Sequence, residues 1–297
     1  MAAVVTRDKH RGMKRPMLLT QTHELEAPRA LRLSDVDCPL HLRRSRRATR
    51  FSLKVSYTER MAILTLPYHV HIEEARVFLS RHKDWLKRQV DRLPKPVPFT
   101  HGSIVPLRGQ PHKIDFVGQT RHKGVIWVEA AQAAQGFSIA QPFAVSATPC
   151  NKYAATAVTF TNDTRDLPRI CVSGETRHGP RRLADWLRNE AKADLIKRVE
   201  HHGAALGCTP KRISVRDQST RWGSCSTSGT ICFSWRLIFA PTFVLDYVAA
   251  HEVAHLREMN HSQRFWRLVR ETMPDMQRAR SWLKQNGAEL HRFGATL

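Results

Sequence analysis

No run of this sequence approaches the eighteen or so uninterrupted apolar residues needed to cross a membrane as a helix. The opening stretch, MAAVVTRDKHRGMKRPMLLTQTHELE, lacks the apolar core of about 7–15 residues that marks a secretory signal. Asp8, Glu24 and Glu26 argue against an organelle transit peptide, which is poor in acids. The expectation is therefore a cytoplasmic protein with a loose basic tail over residues 1–40. The six cysteines, Cys38, Cys150, Cys171, Cys208, Cys225 and Cys232, include no C-x-x-C pair, which excludes a zinc ribbon and a thioredoxin-like motif. A phosphate-binding P-loop is missing too. Acid is scarce: 26 Asp and Glu stand against 48 Lys and Arg, for a formal charge of +22. Such a field attracts nucleic acid, anionic membrane surfaces or acidic substrates. Without a nucleic-acid-binding motif, a solvated basic surface accounts for it equally well.

What is present is an ordinary globular composition, 41 % hydrophobic over 297 residues, enough for one large domain or two small ones. Phe51, Leu53 and Val55 alternate with polar residues, and AILTL follows after YTER, which is a hairpin signal. Arg43, Arg44, Arg46, Arg47 and Arg50 lead into it, as a phosphate-binding run or as an edge strand protected by charge. Residues 72–92 have helical spacing, with Glu73 and Glu74 in the first turn where the dipole favours them. Two or three strands with an RGQ turn are expected over 103–128, and an irregular insertion with a few short strands at about 130–178. A strong helix at 180–206 should end on Gly207, with His201 and His202 suited to its C-terminus rather than to a metal. KRISVRD and RWGSCSTSGTICFSWRLIF read as strands, and a helical tail over 242–286 is broken near 260 and near Pro274. The expected division is the tail 1–40, a β-rich part 41–178 with one helix and the insertion, and a core 179–297.

The densest chemistry is HEVAHLREMNH, residues 251–261. The flanking PTFVLDYVAA is apolar on most faces, so the segment should be a buried helix. His251 and His255, four apart, share one face and can grip one ion. Glu252 is placed to take a proton from water rather than to bind the ion. Burial strengthens this reading over a chance HExxH match, because two imidazoles and a carboxylate on an apolar helix need partners. On a continuing helix His261 would lie about 240° around and about 9 Å along the axis from His255, out of reach. The helix must therefore end between 256 and 260, with Asn260 a candidate for a left-handed exit residue and Ser262 for the N-cap of a new helix.

RWGSCS (221–226), FSWRL (233–237), LDYVAAHEVAH (245–255) and NHSQRFW (260–266) together resemble the YgjP-like branch of the zincin metallopeptidases, related to the SprT-like proteins. The resemblance runs from the 43–128 region to the C-terminus and is poor over 130–178. It implies an α+β fold: a zincin-like domain with a mixed β-sheet, an active-site helix and C-terminal helices, plus the N-terminal β-rich part. It also implies one zinc per chain on His251, His255 and His261, Glu252 as general base, and a peptide or protein substrate. The metzincins share the histidine spacing, but they place a glycine where this chain has Glu258, so a different helix exit is expected.

RWGSCSTSGTICFSWRL reads as a hairpin around a two-residue Ser228-Gly229 turn, a register that sets Cys225 opposite Cys232. Both are expected as reduced thiols. Arg221, Trp222, Ser224 and Tyr247 are candidates for contact with substrate, although Trp222 and Trp235 could simply pack the sheet and Tyr247 its helix. The expected activity is metal-assisted hydrolysis of a peptide bond. The alternatives are a metal-dependent nucleotide phosphohydrolase and a basic nucleic-acid-associated protein with a structural metal site. The latter needs a fourth ligand, such as Cys225. Proteolysis of DNA-bound proteins would combine charge and chemistry.

Overall fold

The computed structural model describes residues 38–120, 124–131 and 167–294. Nearly all of the expected tail, and positions 132–166 of the expected insertion, lie outside the described residues. The fold is α+β, with three small mixed sheets and six α-helices among the described residues.

The first sheet holds β1 (Leu40–Ser45), β2 (Ser52–Ser56) and β3 (Met61–Pro67) in the order β1-β3-β2. β2 and β3 form the expected antiparallel hairpin, and β1 runs parallel to β3 as a charged edge. Arg44 of that edge is occupied locally: its Nη1 donates to the carbonyls of Tyr68 at 2.7 Å and Val70 at 2.9 Å. The helix expected over 72–92 is two helices, α1 (Ile72–Arg81) and α2 (Lys83–Asp91). At the break, the His82 ring Nδ1 lies 2.8 Å from the Phe78 carbonyl, so ring and backbone amide compete for one acceptor. Ala75, Phe78, Leu79 and Leu86 close a core with Leu40, Leu53, Leu64 and Leu66.

The second sheet has the order β4-β5-β7-β6, from β4 (Ile104–Leu107), β5 (Gln110–Gly118), β6 (Ile126–Glu129) and β7 (Arg169–Ser173). Arg108 and Gly109 turn the β4–β5 hairpin with φ of 52° and 80°, the pair of positive values a type I′ turn requires. A side chain at Gly109 would also strike Pro241, whose Cα would lie 2.8 Å from the new Cβ. β7 is a short strand of the kind expected within the irregular stretch, and it lies inside the sheet, parallel to β5 and antiparallel to β6.

α3 (Gly179–Leu206) stops at Gly207, whose φ of 63° is the expected left-handed cap. Its buried Leu183, Leu187 and Ala191 pack against the second sheet, and Leu195, Val199 and Leu206 face the core beyond. His202 is buried and bonded through Nε2 to Asp246 at 2.7 Å, a protein partner rather than an ion.

The third sheet, β8 (Arg212–Arg216), β9 (Gly223–Cys225) and β10 (Thr230–Ser234), has the order β8-β10-β9, with β9 at the edge. The hairpin register differs from expectation by one residue: Cys225 pairs with Ile231, and Cys232 with Ser224. The loop is longer than two residues; Ser226 faces Thr230 across it, and Gly229 takes φ of 79°. A slip of one residue turns the thiols to opposite faces. Both are free, and Cys232 Sγ accepts from Gln218 Nε2 at 3.0 Å. WRLIF is not strand but a 3₁₀ turn, Trp235–Phe239, which buries Trp235 in the core. Then come α4 (Thr242–Ala254), α5 (Gln263–Thr272), α6 (Met276–Asn286) and a 3₁₀ turn, Gly287–Arg292. No helix among the described residues is long and apolar enough to cross a membrane.

One buried guanidinium ties these parts together. Arg236 grips Asp217 with Nε at 2.7 Å and Nη2 at 3.0 Å, and its Nη1 donates to the Phe293 carbonyl at 2.7 Å. The chain just before RWGSC and the C-terminal turn are thus held to one point. Arg236→Met would strand the Asp217 carboxylate and two carbonyls. A loss of about 3 kcal/mol in urea-unfolding stability is the expected outcome.

Candidate metal centre and its cleft

α4 is apolar on nearly every side: Val244, Leu245, Val248, Ala249, Ala250, Val253 and Ala254 are all buried. Into this setting it carries His251, Glu252 and His255. The helix ends where the third histidine demands, with His255 as C-cap and the amides of Arg257 and Glu258 both returning to the Ala254 carbonyl. Asn260 does not take the expected left-handed conformation. Among the described non-glycine residues only Arg60 and Arg108 have positive φ. The reversal is made by short-range bonds instead, Ser262 N to Asn260 O at 2.8 Å and Phe265 N to Ser262 Oγ at 3.3 Å. The second of these is the expected N-cap of α5.

This exit brings His261 back. Its Nε2 lies 3.0 Å from His251 Nε2, and the ligand atoms of His251, His255 and His261 all fall within 4.8 Å of one another. The fully buried Phe265 touches all three imidazoles, with ring centroids 4.9, 4.4 and 4.7 Å from those of His251, His255 and His261. The aromatics of NHSQRFW therefore form the wall that holds the rings in place. His255 Nδ1 lies 3.1 Å from the Glu258 carbonyl, which fixes the tautomer and leaves Nε2 as the lone-pair donor. Burial, reinforced by the neighbouring histidines, pushes the His251 pKa down to about 3, and burial lowers that of His255 too. Both rings are neutral at ordinary pH, the form that binds metal. A divalent ion that favours imidazole fits this set. Among the described residues no further His, Cys, Asp or Glu joins the group, Cys225 included.

Glu252 points away from solvent, 5 % exposed, and burial pushes its pKa up to about 8 against the opposing pull of Arg221. Its Oε2 has no hydrogen-bond partner. Its space exists because residue 223 is glycine: a Cβ there would lie 2.5 Å from Glu252 Oε1.

A cleft of about 770 Å³ opens onto His251 and Glu252. Arg221, Trp222 and Tyr247 line it, so three of the four expected contact residues come together there; Ser224 is not among the lining residues and sits in the β9–β10 ladder. Burial raises the Tyr247 pKa. Sequence reasoning missed Tyr57 of the N-terminal hairpin, Arg280 and Lys284 of α6, and His291. None of them carries a local signal, because each reaches the cleft only through tertiary packing. His291 stacks on Trp222 with centroids 4.9 Å apart, and its Nδ1 lies 3.2 Å from Thr58 Oγ1.

Comparison with known proteins bears on this site. Residues 151–286 match the family model described as YgjP-like, metallopeptidase domain. The span includes all four quoted motifs; it begins inside the 130–178 stretch and leaves 43–128 outside. Among solved structures, the chain is similar to the metallopeptidase zymogen of Pyrococcus abyssi abylysin, 25 % identical over 33 % of this chain and 97 % of that one. The TM-score of 0.30 is too low to support an argument. No curated protein sequence matches.

Burial, with the nearby Arg236 charge, pushes the His291 pKa down to about 4 from 6.5. The folded chain then refuses a proton that the unfolded chain accepts, so stability is lost as pH falls from 6.5 towards 4. The expected loss is about 3 kcal/mol. Urea unfolding across that range should show it, and His291→Gln should make the profile shallower by about that amount, leaving the share of His251 and His255.

Proposed function

We propose, from the YgjP-like metallopeptidase domain that residues 151–286 match, that this chain is a zinc-dependent hydrolase of peptide bonds with Glu252 as general base. One observation carries the reading: three imidazoles converge, and one of them, His251, opens together with the buried Glu252 carboxylate onto a cleft. Zinc, held by His251, His255 and His261, would supply Lewis acidity towards water and the substrate carbonyl. With three protein donors a coordination position stays open, as catalytic rather than structural sites require.

The remaining work falls to this chain's side chains. Burial raises the Glu252 pKa, which makes its carboxylate a stronger base towards a proton of water. Glu252 takes a proton from the attacking water and delivers it to the leaving amine, so it ends the cycle as it began. The unpaired backbone of edge strand β9 suits the addition of an extended peptide. Trp222 and Tyr247 flank that path. The structural-metal alternative requires a fourth donor, and the family match favours a peptide over the nucleotide of the phosphohydrolase alternative.

Metal analysis of the purified chain should find about one zinc. Glu252→Gln should keep the metal and lower kcat on peptide substrates by roughly 10²–10⁴-fold. A variant as active as the wild type would remove Glu252 from the role. Gly223→Ala, by forcing the carboxylate aside, should likewise retain zinc while kcat falls at least roughly tenfold.

A further inference from the structure

The cleft is strongly asymmetric in charge. Arg221, Arg280 and Lys284 line it, and its one acid, Glu252, is buried. The register of α6 fixes two of the cations. Gln277, Arg280, Ser281 and Lys284 all face the cleft, spaced i, i+3, i+4 and i+7, while Met276 and Ala279 are buried behind them. Arg280 and Lys284 therefore stand one turn apart on the same face.

Several half-buried or buried arginines elsewhere are matched by acids. Arg108 binds Asp194 and Glu190, Arg198 binds Asp246, and Arg236 binds Asp217. Among the described residues no carboxylate pairs with Arg221, Arg280 or Lys284. Arg280 is nonetheless held in position: its guanidinium lies over the Trp266 ring, 4.9 Å from the centroid. That ring is 5.6 Å from His261 and 5.8 Å from His251. A guanidinium stacked by its face keeps its N–H edge free for bidentate binding.

We infer that Arg280 and Lys284, aided by Arg221, form a subsite for a carboxylate of the substrate, next to the hydrolytic centre. The ligand is an acidic peptide, offering either an Asp or Glu side chain close to the scissile bond or its own C-terminal carboxylate. The chain's charge of +22 draws the same class of molecule towards the cleft. This inference rests on the peptidase reading above.

The test uses the zinc-loaded full chain and quenched fluorescent peptides of one scaffold. They carry Glu, Gln or Lys near the scissile bond, each with a free or an amidated C-terminus. The readout is the ratio of kcat/KM values within each protein. Wild type should favour one carboxylate form over its neutral counterpart by roughly 10- to 100-fold, and the pair that differs identifies which carboxylate is read. The double variant R280E/K284E, with its zinc content and melting checked, should invert the order in favour of Lys peptides. Equal ratios for wild type on all pairs would overturn the subsite. So would an acidic preference that survives in the folded double variant. A zinc-bound wild type that cleaves none of the peptides would instead refute the peptidase reading, and the subsite with it.

Discussion

Everything around this centre follows from placing three polar groups on a helix that is otherwise apolar. In α4 an imidazole or carboxylate without a partner costs free energy, and the surrounding chain is arranged to meet that cost. His255 uses the Glu258 carbonyl, made available because the helix ends there. His251 Nε2 meets His261, which the same ending returns to it, while its buried Nδ1 has no partner. Glu252 is left with an unpartnered oxygen, and its burial raises the carboxyl pKa. Termination of the helix, ring tautomer and carboxyl basicity are thus one problem met at one point in the chain.

The cleft is assembled from parts distant in sequence. Its floor is α4, one wall is the RWG segment, another is α6, and the β2–β3 region adds Val55 and Tyr57. Arg236 holds the approaches to two of these walls, since Asp217 precedes RWG and Phe293 follows α6. The stack of His291 on Trp222, with Thr58 beside it, links the N-terminal sheet to the same place.

The centre itself was legible in the sequence because its constraints are local. Helical spacing paired His251 with His255, and the reach of six residues required an ending before His261. Ser262 announced the next helix, and Gly207 closed α3 as its type suggests. What was not legible depended on context. Asn260 tolerates a left-handed conformation, but hydrogen bonds completed the turn without it. The Cys225–Cys232 pairing failed on a loop that is longer than its Ser-Gly dipeptide suggested. The interior place of β7 between β5 and β6 is set by pairing with strands distant in sequence, and the break at His82 hangs on one ring finding one carbonyl. The charged face of α6 resembled any solvated helix face until the fold turned it inward.

Phe265 has a consequence beyond packing. Clustered imidazoles ordinarily wander until an ion gathers them, and that gathering surrenders rotational freedom at the instant of capture. Here a single buried phenyl ring abuts all three, so the loss of rotameric entropy is incurred while the polypeptide folds. The three imidazoles are accordingly gathered in advance, and an ion entering among them would demand less conformational search than free rings would.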